Sequence, residues 1–291
     1  MTHAILGAGA VGGLVGTALG YLGEDVTVIV RPERLDAYPK ELIAERPSGT
    51  ITAPAWAVTK LDEAVDVLWI ATRTFQLQAA LDRILAVPPR IIPLLNGVDH
   101  IAVLRARFGH DRVIPGTIAV EAERVAPGRF VQRSPVNLNL ASSAEPVLGE
   151  IVARLREIAF TCDFIENEKT LLWKKLTFLA PFAMVTAASG KSKGEVFADP
   201  AWKAKLEAAI AEACAVAKAD GAVIDTARLH AFFQAQPPGM RSSMLKDVVA
   251  GRELELDAIG GPIVRLGEQY NIDVPVTREL IAQISARAAR A

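Results

Sequence analysis

Cysteine and histidine are scarce in this chain, and their scarcity limits the chemistry available to it. The 291 residues include two cysteines, Cys162 and Cys214, and four histidines. Two cysteines do not make the disulfide framework of a small secreted domain, so we expect both to be reduced thiols. No spacing of His, Cys and Asp fits a metal site, and the sequence predicts no bound metal.

An excess of charge of one sign is also lacking. The formal net charge is −1 and the isoelectric point is near 6.5, so electrostatics favour neither a nucleic acid nor an anionic membrane as partner. The most apolar run, residues 176–188, is too short to cross a bilayer and begins next to Lys174 and Lys175. No basic leader is visible. We therefore expect a cytoplasmic protein without membrane contacts.

A glycine-rich turn near the N-terminus is the strongest motif that is present. It follows an apolar strand-like segment and begins a helix-like one. Its residues are Gly7, Ala8, Gly9, Ala10, Val11 and Gly12. In this pattern Gly7 permits a tight turn, Gly9 lets backbone amides approach a pyrophosphate, and Gly12 lets the helix pack against the strand. The helix N-terminus then attracts phosphate, so the motif predicts a dinucleotide site.

A basic residue ends the second predicted strand. An acidic side chain there would bind the ribose hydroxyls of NAD, whereas the guanidinium of Arg31 suits the 2′-phosphate of NADP. The neighbouring Glu33 could still serve the ribose. The sequence therefore favours NADP, with NAD as the alternative.

The order of apolar segments predicts two domains. In the first half, strands at 3–6, 25–30, 65–71, 90–93 and 112–117 alternate with helices such as 11–22 and 75–85. This pattern is typical of a Rossmann-type, doubly wound parallel α/β sheet. We expect residues 128–141 to add late strands to the same sheet. Predicted helices follow at 170–188, 200–220, 225–236, 242–251, 255–270 and 276–289. Residues 1–166 are thus assigned to a dinucleotide-binding domain and 167–291 to an all-helical domain.

Few side chains are placed for acid–base chemistry. Lys175 begins a strongly apolar helix, where burial would lower its pKa towards neutrality. The alternative is a surface lysine, as expected for Lys174. Asn96 and Gly97 follow the fourth strand, at the edge where ligands bind open α/β sheets, although Asn-Gly is also a common turn. Glu255 and Asp257 could face a cleft or form surface charges.

Together these motifs resemble the ketopantoate reductase (2-dehydropantoate 2-reductase) family over nearly the whole chain. The matching landmarks, in the family's order, are the glycine turn, Arg31, Arg73-Thr-Phe-Gln76, Asn96-Gly97, Trp173-Lys-Lys-Leu176, Ser242-Ser-Met-Leu245 and Glu255-Leu-Asp257. The family's fold is a Rossmann domain followed by a helical domain.

The resemblance implies a role for each matching residue. Lys175 would be the general acid that protonates a 2-oxo acid while NADPH supplies hydride. Glu255 would bind a substrate hydroxyl and fix the environment of the lysine, and Ser243 would contact the substrate carboxylate. Asn96 would hold cofactor and substrate. Arg31 would bind the 2′-phosphate, with Gln76 and Arg73, which replaces the family's usual lysine, near the cofactor.

Three positions depart from the family pattern. Asparagines usually stand four and eight residues after the lysine, where this chain has Leu179 and Ala183, and Gly260 replaces a third asparagine. Each lost amide would cost about 1–3 kcal/mol if it left a substrate group unpaired. We therefore expect a more apolar substrate pocket, still lined at Leu179 and Ala183.

Other functions remain open at this point. The default is reduction of ketopantoate to pantoate in pantothenate biosynthesis, and a relative that reduces a more apolar 2-oxo acid is the main rival. A dehydrogenase for 3-hydroxy acids or imines, and a non-catalytic NADP sensor, are further alternatives. The apolar helices could form core or support a homodimer.

Overall fold

The computed structural model describes residues 1–289, which divide into two compact units. The first unit contains Met1–Leu95 and His100–Leu171. The second contains the short segment Asn96–Asp99 together with the chain from Leu172 onward. The structure thus groups Asn96–Asp99 with the helical unit, whereas the sequence prediction assigns it to the first domain.

All the named strands lie in the first unit. In chain order they are β1 (Thr2–Leu6), β2 (Asp25–Ile29), β3 (Glu41–Glu45), β4 (Ile51–Pro54), β5 (Trp56–Val58), β6 (Val67–Ile70), β7 (Arg90–Pro93), β8 (Gly116–Ala119), β9 (Ala122–Ala126), β10 (Arg129–Gln132), β11 (Val136–Ala141) and β12 (Phe160–Ile165). The helices of this unit are α1 (Ala10–Tyr21), α2 (Leu77–Leu81), α3 (His100–Phe108) and α4 (Glu145–Glu157).

The main sheet has five parallel strands in the order β5-β2-β1-β6-β7. Successive side chains of β1 enter different hydrophobic cores, because Ile5 packs in one and Ala4 and Leu6 in the other. A strand buried on both faces is typical of doubly wound sheets. The predicted Rossmann-type fold is confirmed.

The prediction for residues 128–141 is wrong in one respect. They form β10 and β11, but neither strand extends the main sheet. The strand predicted at 112–117 is found as β8, which also lies outside the main sheet and is antiparallel to β11. The strand β10 belongs to a four-stranded sheet in the order β4-β3-β10-β9, and β11 to a three-stranded sheet in the order β12-β11-β8. Alternating hydrophobicity predicts an extended segment and its buried face, but it does not identify the neighbouring strand.

The predicted helices of the second half are confirmed, with small shifts at their ends. They are α5 (Glu168–Ser189), α6 (Lys193–Ala198), α7 (Pro200–Ala219), α8 (Thr226–Ala235), α9 (Ser243–Val249), α10 (Leu256–Gln269) and α11 (Pro275–Ala288). The short α6 was not predicted.

The helix α5 is longer than the apolar run at 176–188, which the sequence predicts to be too short to cross a bilayer. At 22 residues it is long and apolar enough to cross a membrane by length and composition. However, 72% of its most apolar window is buried inside the protein. Its side chains include the fully buried Trp173, Ala180 and Val185 of the second unit's core. Burial of this kind is typical of the core helix of a globular unit.

Candidate functional site

The glycine turn between β1 and α1 is constrained at both of its outer glycines. Gly7 has φ +99°, and a Cβ there would lie 2.8 Å from the backbone carbon of Ala71. A Cβ on Gly12 would lie 2.3 Å from the carbonyl oxygen of Gly7. Any larger residue at either position would therefore displace the turn.

The middle glycine differs, because a Cβ on Gly9 would meet no atom within 4 Å. Gly9 is the N-cap of α1, and within the described residues no side chain caps this end and no acidic residue lies in its first turn. The N–H of Gly9 donates to the carbonyl of Gly7 at 2.8 Å. The N–H groups that follow it in the first turn of α1 have no acceptor within the helix and can donate to an anion. Open space beside uncapped donors fits a dinucleotide pyrophosphate.

The other residues of the glycine turn are Ala8, Ala10 and Val11. Ala10 is the first residue of α1. Ala8 and Val11 are partly buried against the hydrophobic core of the first unit. Their side chains anchor the turn to the protein interior.

Arg31 and Arg73 lie beyond the carboxyl ends of the two strands that flank β1. Arg31 is exposed and immediately precedes a 3-10 turn, Pro32–Arg34, after β2. Arg73 is half-buried and precedes a second 3-10 turn, Thr74–Gln76, after β6. The N–H of Gln76 donates to the carbonyl of Arg73 at 3.0 Å. Carboxyl ends of strands in open parallel sheets are where ligands bind.

Thr72 is a residue that the sequence reasoning missed. Its hydroxyl is buried and has no hydrogen-bond partner among the described residues. Its backbone nitrogen lies 2.8 Å from where a Cβ on Gly7 would be. A polar side chain two residues after the end of a buried apolar strand is the signal that could have indicated it.

Lys174 and Lys175 occupy different environments on α5. Lys174 is exposed, whereas Lys175 is half-buried beside the core residues Trp173 and Leu176. Burial lowers the pKa of Lys175 to about 8, while the carboxylate of Glu255 acts in the opposite direction. An ammonium with a pKa near neutrality can donate a proton and be recharged by solvent.

Asn96 and Glu255 meet in the second unit. The Asn96 side-chain amide donates to Glu255 Oε2 at 3.1 Å. Glu255 is only 6% exposed and directly precedes α10. The following Gly97 has φ +84°, and a Cβ there would lie 2.2 Å from the carbonyl oxygen of Ala258. The Asn-Gly pair therefore lies against the first turn of α10.

The two serines before α9 have different positions. Ser242 is buried and its hydroxyl accepts from the Leu245 N–H at 3.0 Å, capping the helix. Its hydroxyl also contacts that of Thr186 at 2.7 Å. Ser243 is exposed at the first position of α9 and is the serine with a side chain open to a ligand.

Asp257 forms a surface ion pair. Its carboxylate accepts from Arg265 at 2.7 Å, and its side chain is 85% exposed. Of the two acids that the residues alone left undecided, Glu255 is therefore the buried one.

The three departures from the family pattern lie in different packing environments. Leu179 is half-buried, while Ala183 is 0% exposed within the core of the second unit. A Cβ on Gly260 would lie 2.9 Å from the sulfur of Met184 and 3.0 Å from Ile281. Glycine at 260 thus lets α10 pack closely against α5 and α11.

The histidines have no recognisable site geometry. His3 and His100 are buried, whereas His110 and His230 are exposed. Trp69 donates to His3 Nδ1 at 3.1 Å, and burial lowers the pKa of His3 to about 4. Within residues 1–289, no group of three or more His, Cys, Asp and Glu is placed to hold a metal ion.

Comparison with known proteins matches both halves of the chain to one family. Residues 3–145 match the family model described as ketopantoate reductase PanE/ApbA, and residues 167–288 match its C-terminal counterpart. The chain belongs to the ketopantoate reductase family. Members of this family are NADP-dependent oxidoreductases, which confirms the expectations of an enzyme and of NADP at the level of the family.

Curated relatives agree over nearly full length. The chain is 31% identical to a 2-dehydropantoate 2-reductase of Caulobacter vibrioides, covering 98% of each chain. It is 27% identical to a 2-dehydropantoate 2-reductase of Archaeoglobus fulgidus, covering 95% of this chain and 94% of that one.

Solved structures share the fold. A probable 2-dehydropantoate 2-reductase from Bacillus subtilis is 25% identical, with a TM-score of 0.81 over 99% of this chain and 100% of that one. A D-mandelate dehydrogenase in complex with NADH and anilino(oxo)acetate is 20% identical, with a TM-score of 0.87 over 100% and 99% of the two chains.

Proposed function

We propose that this protein reduces a 2-oxo acid to the 2-hydroxy acid with NADPH, and that 2-dehydropantoate is its default substrate. The observation that carries the proposal is the environment of Lys175. Burial brings the pKa of this lysine to about 8, and the Glu255 carboxylate that keeps it charged accepts a hydrogen bond from Asn96.

The first unit would hold the cofactor. Backbone donors of the glycine turn, from Gly7 to Gly12, would bind the pyrophosphate. Arg31 would bind the 2′-phosphate, and Arg73 and Gln76 would lie near the cofactor. When bound, NADPH supplies the hydride.

Lys175 would supply the proton. Hydride addition to C2 of a 2-oxo acid places negative charge on the carbonyl oxygen, and the Nζ ammonium would donate a proton to that oxygen. The products are a 2-hydroxy acid and a neutral lysine, which solvent reprotonates. A donor with a pKa near the working pH performs both steps efficiently.

Glu255, Asn96 and Ser243 would orient the substrate. The Glu255 carboxylate would accept a hydrogen bond from a substrate hydroxyl, and Asn96 would hold substrate and cofactor. The exposed Ser243 hydroxyl would donate to the substrate carboxylate, since the neighbouring Ser242 hydroxyl already caps α9.

A more apolar 2-oxo acid is a second candidate substrate. It is favoured by Leu179, Ala183 and Gly260, which offer no side-chain donor to a substrate hydroxyl. Under both candidates the carbonyl chemistry at Lys175 is the same, and only the side chain of the substrate differs.

Oxidation of NADPH in the presence of a panel of 2-oxo acids tests the substrate. We expect turnover of 2-dehydropantoate or of its analogue without the 4-hydroxyl group. Turnover of the analogue alone would remove the default substrate. Product analysis that shows reduction at another carbon would favour a 3-hydroxy acid or imine dehydrogenase.

Replacement of adjacent lysines tests the proton donor. Lys175→Met should lower kcat by about 10²- to 10⁴-fold, the usual contribution of a general acid, and leave NADPH binding intact. The matched control is Lys174→Met, which removes the same charge one residue away on the exposed side of α5. Equal rates for both variants would refute the role of Lys175. Absence of turnover with every carbonyl acid would favour the NADP sensor.

Cytoplasmic location and homodimer formation are kept as predictions. Fractionation of cells and sedimentation of the purified protein test them.

A further inference from the structure

The segment that follows β2 carries a second arginine close to Arg31. The N–H of Arg34 donates to the carbonyl of Arg31 at 2.9 Å, which closes the 3-10 turn. Side chains three residues apart in a 3-10 turn project in nearly the same direction. Both arginines are exposed, so their guanidinium groups extend from one side of the turn.

A third arginine comes from the strand β9. Arg124 pairs across the antiparallel ladder with Phe130 of β10. The Phe130 ring covers Gly13 of α1, where a Cβ would lie only 2.0 Å from the ring. Cross-strand partners share a face of their sheet, so Arg124 lies on the face that packs against the dinucleotide-binding helix.

A β-bulge helps to direct Arg124. The register between β9 and β10 shifts at Arg129 and Phe130, which leaves Val125 as the extra residue. Bulges of this kind redirect neighbouring side chains and recur beside functional sites.

The hairpin turn between β9 and β10 lies against the segment that follows β2, since a Cβ on Gly128 would lie 2.3 Å from the ring of Pro39. The charges of the three arginines interact with one another. Partial burial lowers the pKa of Arg124, and the charges of Arg34 and Arg31 lower it further, while Tyr38 acts in the opposite direction. The Tyr38 hydroxyl is itself buried without a hydrogen-bond partner among the described residues.

No carboxylate of residues 1–289 forms an ion pair with an arginine of this cluster. Within residues 1–289, Arg31, Arg34 and Arg124 form no ion pair, whereas Arg129 pairs with Glu45 at 3.0 Å. Three like charges held together repel one another until an anion joins them.

We propose that Arg34 and Arg124 complete, with Arg31, a three-arginine site for the 2′-phosphate of NADP, and that Arg124 determines the preference for NADPH over NADH. This inference rests on the proposed function, because it assigns further residues to the same cofactor. A phosphate monoester carries a charge of about −1.5 to −2 at neutral pH and offers three acceptor oxygens. Several guanidinium groups match that charge and geometry, each as a bidentate donor.

Dissociation constants of NADPH and NADH for the protein without substrate test the site. Quenching of protein fluorescence measures both. We expect Arg124→Gln to weaken NADPH binding by about 10- to 100-fold, the range for a lost charged hydrogen bond, and to change NADH binding less than about twofold. Arg34→Gln should act in the same direction. Arg124→Lys should recover part of the loss, because it restores the charge but not the fork of donors.

Arg129→Gln is the matched control, since it removes one positive charge from the neighbouring exposed position of β10. It should change neither dissociation constant, and thermal unfolding of each variant checks the fold. An unchanged ratio of the two constants in Arg124→Gln, or equal weakening of both, would overturn the inference and leave the proposed function standing. Failure of the unaltered protein to bind NADPH would instead overturn the proposed function.

Discussion

At the scale of single residues, the adjacent lysines Lys174 and Lys175 differ in their exposure to solvent. Successive residues of a helix project about 100° apart, so Lys174 is exposed to water while Lys175 is half-buried. Desolvation destabilises the charged form of the second lysine. At Lys175 this lowers the pKa to about 8.

The pH dependence of turnover follows from this environment. A general acid must be protonated, so kcat should be high below the pKa of Lys175 and fall as the pH rises through about 8. The Glu255 carboxylate raises that pKa, so Glu255→Gln should move the limb to lower pH. Asp257→Asn, which removes an exposed carboxylate two residues away, should leave the limb in place. A limb that stays fixed in Glu255→Gln would contradict the coupling.

Introducing asparagine at Gly260 and at Leu179, two of the positions that depart from the family pattern, should have different effects. Gly260→Asn should destabilise the protein by about 1–3 kcal/mol, because its Cβ would overlap Met184. Leu179→Asn is half-buried and can be accommodated. It should raise the preference for 2-dehydropantoate over the analogue without its hydroxyl by about 2- to 10-fold. Denaturant titration and kcat/KM ratios measure the two effects. A stable Gly260→Asn variant with a larger gain in preference for 2-dehydropantoate than Leu179→Asn would contradict this prediction.

Sequence reasoning reached some of these residues and not others. The tight turn at Gly7, the place of Arg31 after β2 and the partial burial of Lys175 follow from local sequence patterns, so these features were predictable. The roles of these residues towards cofactor and substrate stay predictions. The packing of Gly260 against Met184 depends on two helices that are distant in sequence, and no local pattern encodes such a contact. Thr72 was missed for the same reason, because an unpartnered hydroxyl is visible only when its neighbours are known.

At the scale of elements, the segment Asn96–Asp99 is attached to α10 at three points. Asn96 donates to Glu255, Gly97 approaches the carbonyl of Ala258, and Asp99 forms an ion pair with Arg265. Glycine alone permits this approach, since φ is +84° and the space for a Cβ is taken. The amide of Asn96 is thus oriented by a helix far away in sequence.

Gly97→Ala should disturb both stability and turnover. The left-handed conformation alone costs about 1–2 kcal/mol for a non-glycine residue, and the overlap with Ala258 adds to it. Gly221→Ala is the matched control, because φ is +95° there but no atom lies within 4 Å of the added Cβ. We expect Gly97→Ala to lower kcat/KM and the melting temperature more than Gly221→Ala does. Equal effects would mean that the close approach has no consequence for Asn96.

The long helices were predicted well, because their apolar residues recur at helical spacing over several turns. The apolar stripe of α7 or α10 repeats over several turns, which makes a helix recognisable. Strands such as β3, β5 and β9 have few buried residues. They lack the continuous apolar run by which the equally short β1 and β6 are recognised. Their pairing into separate sheets depends on contacts between distant segments.

At the scale of the whole molecule, the distribution of charge matters more than its sum. A net charge of −1 creates little long-range attraction for an anionic cofactor. The cluster of Arg31, Arg34 and Arg124 forms no ion pair with a carboxylate among the described residues. Attraction for the cofactor should therefore be short in range and concentrated at the 2′-phosphate.

Salt should consequently separate the two cofactors. Between about 0.01 and 1 M salt the Debye length falls from about 30 to 3 Å, which screens exposed charges. We expect NADPH binding to weaken strongly over this range and NADH binding to weaken much less. Titrations of both cofactors at several salt concentrations measure the difference. Parallel salt dependence would show that the extra phosphate meets no concentrated positive charge.

The excursion of four residues, Asn96–Asp99, into the helical unit has a consequence for protein engineering. No single cut divides this chain into its two units, because the helical unit includes residues 96–99, which lie within the sequence of the first unit. A chimera assembled by joining an N-terminal half and a C-terminal half from different relatives would pair Asn96 of one parent with Glu255 of the other. Recombination that respects the structure must transplant residues 96–99 together with the segment from Leu172 onward.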